Sequence, residues 1–207
     1  MTKVYLMRHG ETEWNIEKRF QGSDDSPLTD CGKQQAVLVA ERLKEMQLAA
    51  VYASPRKRAI ETATVVANAQ NLKVEIHSDL AEIALGEWEG KTYSEIKQYD
   101  PKGYQSFFHN PGSFEGIHGG ETFVQVRQRA INTLEKLAEK HQEQRILVVS
   151  HAITIRLLLT HYLKSGINDL WHVAQIGQTS ITEIRFLESE REVGLIGCTS
   201  HLSEDSC

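Results

Sequence analysis

The chain has 207 residues, of which 40% are hydrophobic and 25% charged, a composition typical of ordinary globular proteins. This length predicts one compact domain over residues 1–207. The formal net charge of −5 and the pI near 6.0 exclude a strongly basic surface, so we expect no nucleic-acid partner. No apolar run reaches membrane-spanning length, and Met-Thr-Lys followed at once by a strand is not a signal peptide.

The cysteines bear on the compartment. Cys31, Cys198 and Cys207 are odd in number, widely separated and without paired spacing. This pattern argues against a disulfide framework and is typical of a reducing environment. We therefore expect a cytoplasmic protein with no membrane partner. The sequence does not distinguish a monomer from a homodimer.

The first apolar run ends in residues with chemical function. Lys3 to Met7 contains Val, Tyr and Leu, which predicts a buried strand, and Arg8, His9 and Gly10 follow at once. Open α/β sheets place their chemistry beyond the carboxyl ends of the strands. Gly10 gives the backbone room to turn sharply or to approach a ligand.

A second run, Arg145 to Ser150, ends in the same way at His151. If the two runs form parallel neighbouring strands, His9 and His151 meet at one edge of the sheet. Two histidines beside arginines make a site for an oxyanion, with phosphate as the first candidate. An acidic chain must concentrate positive charge locally to bind an anion, which makes Arg8 and Arg58 informative.

Four sequence motifs then follow one another in the chain. They are Arg8-His9-Gly10-Glu11-Thr12 with Asn15, Ser54-Pro55-Arg56-Lys57-Arg58-Ala59 with Thr62, Glu82 with Gly86-Glu87-Trp88-Glu89-Gly90, and Ser150-His151. In this order, and each at the end of a predicted element, they resemble the histidine phosphatase superfamily. The resemblance extends over about residues 3 to 198. Within the family, it is to the branch of phosphoglycerate mutases and small broad-specificity phosphatases.

The alternation of strand and helix patterns predicts a three-layer α/β/α sandwich with a mainly parallel sheet. The resemblance implies a mixed sheet of six strands, one of them antiparallel. The last two strands are predicted at Ser180 to Phe186 and Val193 to Cys198, joined by the charged turn Glu188 to Glu192. Ser203 to Cys207 is predicted to be a frayed tail.

The resemblance also implies roles for individual residues. His9 is the nucleophile that becomes phosphohistidine, and Glu82 is the general acid and then the general base. Arg58 lies near a predicted helix N-terminus, where phosphate binds favourably. The residues expected to contact the substrate are Arg8, Asn15, Gln21, Gly22, Arg58, His151 and Ala152, the last through the first amides of the helix that it opens.

Residues 91–120 have the least regular pattern. Long irregular segments inside compact domains are often lids or substrate-specificity segments. Five residues there allow two interpretations of equal weight, either lining a pocket or forming a satellite core. These are Phe107, Phe108, Phe114, Ile117 and His118.

Metal chemistry is not expected. The chain has no His-Glu-x-x-His, no His-x-His and no clustered Asp, and the two site arginines would repel a cation. We predict neither a metal nor another cofactor, and a small phosphomonoester as the partner. The acidic Leu85 to Gly90 segment, and Ala152 where mutases carry Gly-Asn, favour hydrolysis over transfer.

Two alternatives to a phosphatase remain. The first is a phosphoglycerate mutase that depends on 2,3-bisphosphoglycerate, because both reactions share the phosphohistidine. The second, more remote, is a catalytically silent binding module of the same fold. Such a module is expected to lack His9 or Glu82, and this chain has both.

Overall fold

The computed structural model describes residues 1–202, so the predicted tail at 203–207 lies outside the described residues. The described chain forms one six-stranded sheet with helices on both faces, and this confirms the predicted three-layer α/β/α fold. The strands are β1 (Thr2–Arg8), β2 (Ala50–Ala53), β3 (Val74–Ile76), β4 (Arg145–Ser150), β5 (Ile181–Phe186) and β6 (Arg191–Val193). The α-helices are α1 (Glu13–Ile16), α2 (Asp30–Leu43), α3 (Lys57–Ala69), α4 (Tyr93–Tyr99), α5 (Pro101–His109), α6 (Phe123–Lys140) and α7 (Ala152–Tyr162).

The strand order is β3-β2-β4-β1-β5-β6. The first four strands in chain order are parallel, and β5 runs antiparallel to β1. Because β6 is antiparallel to β5, only β5 opposes the other strands of the described sheet. β1 and β4 are parallel neighbours whose last pair is Arg8 with Ser150, so the residues that follow both strands emerge together.

The two faces of the sheet are covered by different helices because successive side chains of a strand point to opposite faces. In β1, Val4 and Leu6 face α6 and α7, and they share a buried cluster with Leu134 and Leu158. Tyr5 and Met7 face the other way. They pack with Val39, Ala40 and Leu43 of α2 and with Ala59, Ala63 and Val66 of α3.

A third hydrophobic cluster lies beyond the carboxyl ends of the strands. It joins residues 91–120 to the rest of the domain through Trp88, Phe107, Phe114 and Phe123, all of which are buried. Phe107 alone has ring contacts to six other aromatic side chains, with centroids 4.9–5.6 Å apart. The cluster gives this irregular segment a packed core of its own.

One expectation is corrected. The last strand is Arg191–Val193, not Val193 to Cys198, and Cys198 makes only an isolated bridge to Ile181. Gly197, just before Cys198, lies in the left-handed region at φ 58°, which interrupts a regular strand.

Across residues 1–202, none of the helices is both long and apolar enough to cross a bilayer.

Candidate active site

His9 occupies the position directly after β1. Its backbone N–H donates to the Ser150 carbonyl at 3.1 Å, which continues the strand pairing and fixes the residue beside β4. Its Nδ1 lies 2.7 Å from the Gly10 carbonyl. A carbonyl only accepts, so Nδ1 carries the proton and Nε2 keeps its lone pair. Burial, with the nearby charges of Arg58 and Arg8, lowers the pKa of His9 well below 6.5, so the imidazole is neutral at pH 7.

His151 follows β4 and faces His9, with the ring centroids 5.2 Å apart. Its Nε2 lies 2.7 Å from Ser54 Oγ, which in turn accepts from the Arg56 backbone N–H. Burial and the charge of Arg58 lower the pKa of His151 well below 6.5. If the Ser54 hydroxyl donates to Nε2, the proton of the neutral ring lies on Nδ1. That atom is buried and has no hydrogen-bond partner within residues 1–202, so it is available to a bound ligand.

The two predicted arginines line the same cavity as His9. Arg8 Nη1 donates to the Ile176 carbonyl at 2.9 Å. Arg58 is buried, and it donates to the carbonyls of Gly22 and Asp24 and to Asp25 Oδ1 at 2.5–2.9 Å. In both side chains Nε is buried without a partner in the described chain. Burial lowers the pKa of Arg8 to about 10, which leaves it charged at neutral pH.

Asn15, Gln21 and Gly22 line the same cavity. Asn15 Oδ1 accepts from the Thr12 N–H at 3.1 Å, which leaves its amide nitrogen as a donor for the cavity. Gln21 Nε2 donates to Thr12 Oγ1 at 2.8 Å, so its amide nitrogen is engaged, while its Oε1 is buried without a hydrogen-bond partner in the described chain. Gly22 has φ 52°, and an added Cβ would lie 2.2 Å from Glu89 Oε1. The position therefore requires glycine.

Glu82 receives four hydrogen bonds, three of them from the first turn of α7. The amides of Ile153 and Thr154, the Thr154 hydroxyl and the Ile83 amide donate to its carboxylate at 3.0–3.2 Å. The sequence analysis assigned the first amides of this helix to the substrate phosphate. Instead, two of them hold Glu82, and Ala152 lines the cavity ahead of them.

The loop that carries Glu82 is fixed from behind by Arg129 of α6. This side chain donates to the carbonyls of Asp79, Ala81 and Glu82 at 2.7–3.1 Å and pairs with Glu121. The sequence did not predict this role. Arg129 is one of several charged residues on its helix, and the carbonyls that it binds lie 47–50 residues earlier in the chain.

All nine predicted site residues line one cavity of about 200 Å³ or lie directly against it. The cavity also contains residues outside the predicted site, of which Phe107 and Phe108 were pocket-lining candidates in the sequence. Arg156, Tyr93 and Trp171 are the polar or amphipathic ones, and Arg19 lies at the rim. The apolar ones are Phe20, Leu85, Phe107, Phe108, Ile153 and Ile176.

Residues 91–120 contain both side chains that line the cavity and side chains that pack in the third hydrophobic cluster. Phe108 lines the cavity, and Phe107 both lines it and packs in the third hydrophobic cluster. Phe114 belongs to that cluster, and Ile117 packs against it. His118 belongs to neither, although its carbonyl lies close to Gly86.

A second cavity and a possible metal site can be compared with the candidate active site. A larger cavity of about 400 Å³ lies at the opposite end of β1, next to Thr2, Glu135, Glu139 and Glu143. Its carboxylates would repel a phosphate. Within residues 1–202, no group of three or more His, Cys, Asp or Glu side chains is placed to hold a metal ion.

The cavity thus brings together a neutral imidazole, two guanidinium groups and a carboxylate. A sequence model of the Histidine phosphatase superfamily (branch 1) matches residues 4–199. The chain belongs to this superfamily, as its motifs predicted.

Named relatives lie within the same family. "Phosphoglycerate mutase-like protein 4" of Arabidopsis thaliana is 36% identical over 205 residues, which cover 98% of this chain and 87% of the relative. "Phosphoserine phosphatase 1" of Hydrogenobacter thermophilus is 32% identical over 99% of this chain and 96% of its own. The solved structure of Bacillus stearothermophilus YhfR superposes with a TM-score of 0.94 at 37% identity, covering 97% of this chain and 99% of that one.

Proposed function

We propose that the protein hydrolyses small phosphomonoesters through a phosphohistidine on His9, with Glu82 as the general acid and base. The observation that carries the proposal is the neutral His9 ring, buried near the charges of Arg58 and Arg8. Its Nδ1 is bonded to the Gly10 carbonyl, which leaves the Nε2 lone pair for the substrate. The family membership and the relative named as a phosphoserine phosphatase support hydrolysis of a small ester.

In the first step, the Nε2 lone pair attacks phosphorus and the bond between phosphorus and the ester oxygen breaks. The leaving oxygen takes a proton from Glu82, so an alcohol departs. Arg8, Arg58 and the Nδ1–H of His151 stabilise the charge on the equatorial oxygens, and Asn15 adds an amide donor. Preorganised donors of this kind each contribute ~3 kcal/mol to lowering the barrier.

In the second step, water gives a proton to the Glu82 carboxylate and attacks phosphorus. The bond between phosphorus and Nε2 breaks, and phosphate leaves with His9 neutral again. The two backbone amides of α7 that hold Glu82 keep its carboxylate beside the cavity throughout the cycle. Arg129 holds the backbone of the same loop.

The remaining properties are predictions. Residues 91–120 act as a substrate-specificity segment, supported by Tyr93, Phe107 and Phe108 at the cavity. Gln21 and Gly22 shape the phosphate pocket through Thr12 and Arg58. The single domain, the cytoplasmic location and the choice between monomer and homodimer stay predictions as the sequence analysis made them.

The first experiment separates a phosphatase from a mutase. The purified protein is incubated with 3-phosphoglycerate, with and without 2,3-bisphosphoglycerate, and separately with p-nitrophenyl phosphate. Free phosphate and 2-phosphoglycerate are followed together, with His9→Ala as the control. We expect free phosphate without isomer, and a phosphohistidine in acid-sensitive form on wild type alone. Isomer that depends on the bisphosphate would make the protein a mutase, and no phosphate from any ester would make it a binding module.

A further inference from the structure

Arg156 lines the cavity and, like Arg19 at the rim, is a cation that the proposed phosphoryl transfer does not use. It lies on α7 four residues after Ala152, so its Cα lies about 6 Å further along the helix axis, on the same face. Both residues line the cavity. The helix therefore places Arg156 about one turn beyond Ala152, at the same cavity.

The Arg156 head group is held in a fixed orientation by two contacts. Its Nε donates to the Ala174 carbonyl at 3.1 Å, and its guanidinium carbon lies 5.3 Å from the centroid of the Trp171 ring. Trp171 is itself anchored, because its Nε1–H donates to the Phe107 carbonyl at 2.6 Å. Since Nε is engaged by Ala174 and the residue lines the cavity, the two Nη nitrogens are the donors that this side chain can offer to a ligand.

An Arg fixed at Nε presents its remaining N–H groups as a planar fork, the geometry that fits a carboxylate. The walls around it are apolar, with Phe108, Ile153 and Ile176 at the same cavity. The cavity of about 200 Å³ is smaller than the ~300–1,000 Å³ of pockets for drug-sized ligands, so it suits an ester with a short leaving group.

We propose that Arg156 selects phosphomonoesters whose leaving group is a short carbon skeleton bearing a carboxylate, which the Nη fork binds while Trp171 holds the guanidinium in place. This inference rests on the proposed phosphatase function and specifies its substrate class. Arg156 is a specificity residue, and it takes no part in proton or phosphoryl transfer.

A competing role for Arg156 is to balance the charge of Glu82. The pKa of Arg156 is lowered by burial, and the carboxylate of Glu82 opposes this shift. A residue that served only Glu82 would affect every ester alike. The two roles therefore differ in how substrates with and without a carboxylate respond to one substitution.

The test uses two matched pairs of esters. 3-Phosphoglycerate and glycerol 3-phosphate differ by a carboxylate in place of a hydroxymethyl group, and phosphoserine and phosphoethanolamine differ by one carboxylate. For Arg156→Gln we expect kcat/KM to fall about 10- to 100-fold for the two carboxylates, the range for loss of a charge-assisted hydrogen bond. The loss should lie in KM, because the contact is the same in ground and transition states. The other two esters should change by less than about threefold.

Arg19→Gln is the matched control, since it removes the same charge from the rim of the same cavity. Arg19 already donates to the Gly90 carbonyl and pairs with Glu17 and Glu95, so both members of each pair should respond equally. Arg156→Lys keeps the charge without the fork and should lose most of the discrimination. Thermal unfolding of each variant shows whether it is folded.

Equal losses for both members of each pair on Arg156→Gln would overturn the proposal and favour the charge-balancing role. Full discrimination retained by Arg156→Lys would overturn the fork geometry. If wild type released phosphate from none of the four esters or from p-nitrophenyl phosphate, the proposed function itself would fail, which is a different result from equal losses.

Discussion

The neutral state of His9 can be tested through protein stability, without any substrate. His9→Gln removes one buried imidazole and keeps a side chain of similar size. The pKa of His9 in the folded protein lies well below 6.5 because the ring is buried beside Arg58 and Arg8. In the unfolded chain the same ring titrates near 6.5. Below that pH, the unfolded state therefore binds a proton that the folded state does not.

The sign and size follow from proton linkage. Because the unfolded state binds more protons at low pH, the free energy of unfolding rises with pH and levels off above 6.5. Each pH unit below 6.5 costs on the order of 1 kcal/mol per histidine, so His9 costs roughly 1 kcal/mol between pH 7.5 and 5.5. His151, buried with its pKa lowered by the same causes, adds a similar cost.

The assay is urea unfolding followed by circular dichroism at pH 7.5 and 5.5, in buffers without phosphate, because bound phosphate would stabilise the folded state. The loss of stability on acidification should be roughly 1 kcal/mol smaller for His9→Gln than for wild type. His109→Gln, at an exposed position on α5, is the matched control and should behave like wild type. An equal loss in wild type and His9→Gln would show that folded His9 protonates in this range, and the neutral nucleophile would be refuted.

Three further outcomes are expected. Glu82→Gln should slow alkyl phosphates by roughly 10³-fold but p-nitrophenyl phosphate far less, because a good leaving group needs no acid; equal slowing of both would contradict the acid role. Activity should be unchanged after dialysis against EDTA, because Arg8 and Arg58 supply the positive charge, and a loss restored by a divalent metal would contradict this. Gly22→Ala should lower stability by about 1–3 kcal/mol, since its φ is 52° and its Cβ would meet Glu89, and a thermal melt identical to wild type would refute that reasoning.

Sequence reasoning worked best where function depends on residues next to a strand end. His9 and His151 each follow an apolar run directly, and the parallel pairing of β1 with β4 brings them together at 5.2 Å. The same logic located Arg58 in the first turn of α3. In these cases the local pattern and the fold give the same answer, so few topologies need to be considered.

The sequence did not reveal residues whose partners lie far away in the chain and belong to no recognisable motif. Arg129 bonds to backbone carbonyls about 50 residues away, and nothing in its own helix distinguishes it from other exposed charges. Arg156 lies within the apolar face of α7, and its partners Ala174 and Trp171 come from a loop without periodicity. The one available signal was its spacing of four residues from Ala152, which places both on one helical face.

The first turn of α7 also explains why a phosphate site here depends on arginines. An isolated helix N-terminus offers free amides to an anion, but two amides of α7 are given to Glu82. The positive end of the helix therefore orients Glu82, the proposed acid and base. The negative charge of the phosphoryl group is then neutralised by Arg8 and Arg58. His151 occupies the N-cap position of the same helix, and Arg156 follows about one turn after Ala152. A single helix therefore sets the distances between His151, the Glu82 carboxylate that its amides hold and Arg156.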